Sequence, residues 1–316
     1  MKAVWTVGGM KGEPEDALDF IRDLGFNTMI TGDATPELVD YARGQGICVI
    51  ATILPVVDGA FETKNSHAIQ RPRDFESKIF YVLAKGPRGT ETDGTYLWHS
   101  LIKSASLCFG HPESQDALEA RVEKALEFAD GIAFHFFGFK NHYACFCKRC
   151  ENIRTDMKAA HPTLPDLEIL SRMSEQTLLD IHQILFDRAK TINPDAIVTN
   201  HIWPPFRPDE YFGYIFKLDY CTQTISWFFL PAWRLERVGF EAAELRRLEN
   251  PCNNQFVPFI GIHELGDLVR SPERFAKELE IVRCFGVVDT PRSNIYWRNR
   301  RCVNERSKVF TFAKAS

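Results

Sequence analysis

Short apolar runs alternate with amphipathic stretches along most of this chain. KAVWTV (2–7) is followed by EPEDALDFIRDLG, where Ala17, Leu18, Ile21 and Leu24 recur at helical spacing and Gly25 stops the pattern. FNTMITGD (26–33) predicts a second strand. Thr35 to Arg43 predicts a second helix with Leu38, Val39 and Ala42 inward, and GICVIATILP (46–55) a third strand. Strand-to-strand spacings of about 20 residues suit right-handed parallel crossovers. An excursion follows from Val56 to about Glu113, with an extra pair of strands suggested by KIFYVLAK and TYLWHSL. The alternation then resumes with the helix QDALEARVEKALEFA and the strand DGIAFHFFGF (130–139). The near-continuous apolar run of that strand is what burial on both faces requires.

The later strands are DAIVTNHIW, LDYCTQTISWFF, QFVPFIGIHE and SNIYWRN. Between them lie helical stretches at about 167–191, PDEYFGYIF, Trp233 to Leu248 and SPERFAKELEIVRCFG, the last with Pro272 near its first turn and Gly286 past its end. Eight βα units predict an α/β fold, a (β/α)8 TIM barrel formed by residues 1–316 as one domain. It has an enlarged loop after strand 3 and a cysteine-rich loop after strand 4. The competing fold is a doubly wound open sheet. Against it, the first βα turn, TVGGMKGEPED, lacks the GxGxxG spacing of a dinucleotide site.

Composition narrows the function classes. The chain has 316 residues, 45% apolar and 25% charged, enough for one large core. A formal charge of −4 gives no basic footprint for nucleic acid, and the locally basic stretches 64–78 and 298–308 are interrupted by acids and read as solvated surface. No apolar run reaches the roughly 18–20 residues that span a bilayer. The start, MKAVWTVGGMKGEPED, lacks a signal-peptide pattern, so the expected location is cytoplasmic. In that compartment cysteines serve mostly as thiols or metal ligands.

Three of them stand in ACFCKRC, as Cys145, Cys147 and Cys150, directly after strand 4. Cys108, in SLCFGHPE, precedes the next helix. Strands 3 and 4 are neighbours in a barrel, so the four thiols are expected to meet as a closed tetrahedral Zn2+ site, structural because no position stays open. His111 and His142 are substitute ligands. A dithiol redox pair, an iron–sulfur cluster and unengaged thiols are the alternatives; neither a thioredoxin-like context nor CxxxCxxC spacing is present.

A barrel with a cysteine after strand 3 and C-x-C-x2-C after strand 4 resembles the catalytic domain of the glycoside hydrolase family 42 β-galactosidases and related hypothetical glycosyl hydrolases. The resemblance covers the barrel, nearly the whole chain. It implies a zinc ion on Cys108, Cys145, Cys147 and Cys150, a carbohydrate substrate, and a homo-oligomer. It also implies two catalytic glutamates. Glu264, at the end of VPFIGIHE, matches the nucleophile. The acid/base follows an asparagine at the end of strand 4 in that family, whereas this strand carries His135 and Phe136.

Chemistry in such barrels sits at the C-terminal strand ends. Besides Glu264, the candidates for catalysis are His135, as a general acid or a hydroxyl ligand, and Asp33 and Asp58, either of which would supply the second carboxyl or anchor sugar hydroxyls. Asp33 is alternatively a helix cap, three residues before Pro36, and His135 a core histidine. His201, His263, Trp98, Trp203, Trp227, Trp297 and Arg298 are candidates for substrate binding. Indole faces stack on sugar rings and a guanidinium holds an anionic group; ordinary packing and a surface ion pair are the alternatives. The expected function is cleavage of a glycosidic bond, with Glu264 as nucleophile or base. The alternatives are a sugar-binding barrel without hydrolysis, or a lyase or isomerase using Glu264 with histidines. A zinc hydrolase is a weaker third, since HExxH is absent.

Overall fold

The computed structural model describes residues 2–6, 14–23, 25–71, 105–139, 144–201, 216–226, 234–249, 255–262, 264–265, 268–269, 271–282 and 294–298. Its centre is a strongly curled parallel sheet. The strands are β1 (Lys2–Thr6), β2 (Thr28–Thr31), β3 (Cys48–Ile53), β4 (Gly131–His135), β5 (Ile197–His201), β6 (Tyr220–Ser226) and β7 (Gln255–Ile262). A two-residue hairpin, β8 (Glu264–Leu265) and β9 (Leu268–Val269), precedes β10 (Asn294–Arg298). Each strand from β1 to β7 pairs parallel with its sequence neighbour, and β10 pairs with both β7 and β1, which closes the sheet. A parallel closed sheet has no free edge and must be covered outside by its crossovers.

The crossovers described are α1 (Pro14–Asp23), α2 (Pro36–Gly44), α3 (Gly59–Asn65), α4 (Pro112–Leu126), α5 (Lys148–Ala160), α6 (Asp166–Ile192), α7 (Leu235–Glu249) and α8 (Pro272–Val282). Six of the seven expected helical crossovers are therefore seen, those after β1, β2, β3, β4, β6 and β7. The expected strands in KIFYVLAK and TYLWHSL and the helix in PDEYFGYIF lie outside the described residues, as does the segment after SNIYWRN, which reads in the sequence as a short helix.

Two helices were not legible in the sequence. α3 falls inside the excursion. α5 begins within ACFCKRC itself, so Lys148 to Cys150 are helical and not loop. α5 fully buries only Cys150, and its apolar face is narrow, Cys150 with the partly buried Ile153 and Met157, so its period is weakly marked.

Side chains alternate between two layers. Ala3, Trp5, Ile30, Ile50, Ala133 and Val257 fill the inside of the curled sheet. Val4, Met29 and Val49 face α1 and α2, while Ile132, Phe134 and Val198 face α4 and α6. Gly131 is where β4 and β5 come closest: a Cβ there would collide with the backbone carbonyl of Ile197, so only glycine fits.

The N-terminal ends of the strands carry a repeated polar device. Asp130, one residue before β4, accepts from the Val49 amide at 2.8 Å and pairs with Arg43 at 3.0 Å. Asp219, one residue before β6, accepts from the Val198 amide at 2.8 Å and pairs with Lys190 at 2.8 Å. Each carboxylate satisfies the amide of a neighbouring strand and is neutralised by a cation from the last turn of the helix leading into that strand, Arg43 of α2 before β3 and Lys190 of α6 before β5.

Candidate metal centre and sheet mouth

Cys108 lies on the segment 105–111, which is anchored by single bridges from Val56 to Ser106 and from Ile69 to Leu107. Cys145 and Cys147 lead into α5. Cys147 is its N-cap residue and Cys150 sits in its first turn. The four sulfurs lie within 4.8 Å of one another and all four residues are buried. Cys108 Sγ is 3.5 Å from Cys150 Sγ and 3.8 Å from Cys147 Sγ. Four sulfurs at zinc–thiolate bond length around one ion stand about 3.8 Å apart, so the spacing suits a four-coordinate ion.

The amides of Arg71 and Cys147 each donate to Cys145 Sγ at 3.4 Å, and the positive end of α5 faces the thiols, so negative charge is favoured there. Hydrogen bonds with Cys108 pull the Cys145 and Cys147 thiols below the usual range. Those with Cys145, Cys147 and Cys150, together with burial, push Cys108 up. Four thiols this close cannot all ionise unless a cation joins them. Cys48 contrasts with them: burial and the nearby Asp130 carboxylate push it up to about 12, the state of an inert core thiol.

The surroundings of the cluster are rigid. Phe109 stacks on Phe137 with centroids 5.6 Å apart and packs against Phe139 at 6.1 Å. Gln70, buried, donates to the carbonyls of Leu107 at 3.1 Å and Gly138 at 3.0 Å, so it joins the segments on either side of the cluster. Arg149 and Arg154 hold the carbonyls of Gly110 and Cys145 at 2.6 and 2.7 Å. Nothing in the sequence pattern marks Gln70, since a lone glutamine in a loop has no period or motif.

At the C-terminal end of the sheet, His135 and His201 occupy paired positions of β4 and β5. Their rings stack with centroids 5.1 Å apart and their Nδ1 atoms are 3.1 Å apart, which requires one ring to donate and the other to accept. Trp5 lies against both, at 5.1 and 4.7 Å. Burial pushes His135 down to about 3 and holds His201 well below its ordinary value, so both rings are neutral at pH 7. Phe136 follows with φ 62, a left-handed backbone turn that is strained for a phenylalanine.

The other expected residues divide. Asp58 caps α3: its Oδ1 accepts from the Phe61 amide at 2.8 Å and its Oδ2 is 3.5 Å from Arg121. Asp33 follows β2, is exposed, and does not cap α2, because Thr35 accepts from the Leu38 amide instead. Glu264 opens β8, two residues beyond β7, paired with Val269. Trp297 stands beside Trp5 in the ladder and Arg298 beside Thr6. Trp98, Trp203, Trp227 and His263 lie outside the described residues, as does His142. Trp5, which the sequence reading treated only as part of a strand, is the aromatic residue found against both histidines.

No protein-family model and no curated protein matches the chain. Its structure is nevertheless similar to family 42 β-galactosidases and other glycoside hydrolase barrel domains, at low sequence identity. A β-galactosidase from the Antarctic haloarchaeon Halorubrum lacusprofundi superposes with a TM-score of 0.62 at 12% identity, over 98% of this chain and 54% of that one. A catalytic mutant of a family 42 β-galactosidase from G. stearothermophilus gives 0.59 at 11% identity, over 94% and 50%. An α-L-fucosidase from Paenibacillus thiaminolyticus gives 0.59 at 12% identity, over 94% and 46%. The chain thus spans about half the length of these enzymes, and the likeness is one of fold.

Proposed function

We propose that the protein is a carbohydrate-active enzyme built on a glycoside-hydrolase-like (β/α)8 barrel, cleaving a glycosidic bond with Glu264 as nucleophile or base. The observation that carries this reading is the shared fold with glycoside hydrolases over 94–98% of the chain. It is supported by a carboxylate-bearing residue just beyond β7, at the face where parallel barrels do their chemistry.

Asp33 is the preferred second carboxyl. It follows β2 on the same face, and its carboxylate makes no hydrogen bond or ion pair among the described residues, whereas both oxygens of Asp58 are engaged by the α3 cap and Arg121. His135 and His201, a buried neutral pair against the buried Trp5 indole, form the floor beneath the sheet mouth, and His135 is not the acid. A ring titrating near 3 holds no proton to give as an acid at pH 7. Trp297 and Arg298, beside Trp5 and Thr6 in the ladder, remain the further candidates for substrate binding. The four cysteines hold a structural Zn2+ that fixes the loops beside the mouth and takes no part in bond cleavage.

The test is a panel of aryl glycosides assayed with the wild type, Glu264→Gln and Asp33→Asn. Turnover by the wild type with at least about a 100-fold loss in each variant supports the proposal. The anomer of the first product then assigns retention or inversion. Unchanged turnover in Glu264→Gln would sink it.

A second reading rests on one observation: β4 ends in a buried neutral histidine instead of a carboxylate. On that reading the barrel binds sugars, or performs a lyase or isomerase reaction, without a glycosyl-enzyme. Sugar binding with no hydrolysis of any glycoside in the panel would select it.

A further inference from the structure

Next to the cysteine cluster stands a second group of metal-ligating side chains. His67 lies in a short 3-10 turn (Ser66–Ala68) after α3, and His111 and Glu113 are the N-cap and a first-turn residue of α4. Their donor atoms lie within 4.8 Å of one another. His67 Nε2 is 3.2 Å from Glu113 Oε1, and His111 Nδ1 is 3.7 Å from Glu113 Oε2. Ligands at about 2.0–2.1 Å around one tetrahedral ion stand about 3.4 Å apart, so these separations bracket the expected edge.

Glu113 Oε2 is buried without a hydrogen-bond partner among the described residues, and its 3.7 Å separation from His111 is too long for one. A carboxylate oxygen shut away from water and left unpaired is what a bound cation would satisfy. The scaffold is preorganised. Ser114 Oγ donates to the Ala68 carbonyl at 2.9 Å and the Cys108 amide donates to the same oxygen at 2.9 Å, which pins the turn to the start of α4.

We propose that His67, His111 and Glu113 form a second divalent transition-metal site, separate from the four cysteines. Two imidazoles and a carboxylate suit Zn2+, Co2+ or Ni2+ and disfavour Mg2+ and Ca2+, which prefer all-oxygen sets. Three protein ligands leave a fourth position, and the exposed side of His67 opens it to water. His111 joins the two centres. Its Nε2 is 3.4 Å from Cys147 Sγ. With the proton on Nε2, the ring donates to that sulfur and presents the Nδ1 lone pair to the second ion, the general pattern in which a metal-ligating histidine gives its other ring N–H to a second partner. This coupling, though not the second site itself, rests on the reading of the cysteines as a metal centre.

The experiment loads the full chain with Co2+ and then Zn2+ at neutral pH, with metal analysis and absorption spectra of wild type, His67→Ala and Glu113→Gln. The wild type should bind two equivalents, one with thiolate-to-cobalt charge-transfer bands and one with only weak d–d bands. Each variant should retain the first and lose the second. His67 is exposed, so its removal spares the fold, and an unchanged melting curve would verify that. A single equivalent at saturating metal, or a second one that persists in His67→Ala, would overturn the proposal. Failure of the cysteine reading looks different: the charge-transfer bands would be missing while the weak bands remain.

Discussion

His182 shows how a residue's chemistry follows from its surroundings. It sits on α6 with its ring stacked on Phe216 at 3.8 Å and its Nδ1 hydrogen-bonded to the Leu178 carbonyl at 2.8 Å. Burial pushes it down to about 4, and His135 down to about 3. A histidine whose folded value lies below the unfolded value of about 6.5 takes up its proton in the unfolded chain first. Stability is therefore complete above about pH 6.5 and declines as pH falls toward 4 for His182 and toward 3 for His135, by up to about 1.4 kcal/mol per unit for each ring. Melting temperature measured from pH 7 to 4 should fall, and His182→Gln should flatten the fall. Parallel slopes for the two proteins would show that His182 is not held neutral. Asp58 gives the converse lesson: placed after β3 it looked like a candidate acid, but the α3 backbone claims its carboxylate.

Among the elements, α5 is the one whose position depends most on the cysteines. Cys150 is its one fully buried residue, with Ile153 and Met157 packed half-buried against the same core. Its N-terminal end is tied by Cys147 and Cys150 to Cys108, across a sequence separation of about 40 residues. Metal bound by those sulfurs would act as a cross-link between segments that otherwise retain large chain entropy. Cys150→Ser is expected to abolish binding of the thiolate-held metal and lower Tm by about 5 °C or more. Full metal content and an unaltered Tm in that variant would remove the cluster from the stability of the fold. The aspartates before β4 and β6 illustrate a different economy, in which one carboxylate both ends a strand ladder and anchors a helix terminus.

At the scale of the whole molecule, the closed ladder makes each strand depend on two neighbours. The inner layer of Trp5, Ile30, Ile50, Ala133 and Val257 draws on five strands at once, so no subset of them keeps an intact core. We expect residues 1–316 to unfold as one domain, seen in calorimetry as a single transition whose van't Hoff and calorimetric enthalpies agree. Two resolved transitions would divide the barrel into independent parts. The same closure sets the layout of the sheet mouth: His135 and His201 sit together because β4 and β5 are in register, and Trp5 meets them from β1.

The alternation of apolar runs with helical periods determined, by itself, the parallel sheet, the order of its strands and most of its helices, because burial on both faces leaves a continuous apolar run that a sequence displays openly. The four cysteines were also legible, since a C-x-C-x2-C spacing beside a strand end has few uses other than binding metal. Only the tertiary structure decided which polar residues are spent on the fold and which remain available. It made Asp58 a cap and left Asp33 exposed. It turned His135 and His201 into a buried neutral pair, and it gathered His67, His111 and Glu113 from two segments into one cluster. The physical reason is that periodicity records burial, whereas the role of a polar side chain depends on partners brought to it from distant parts of the chain.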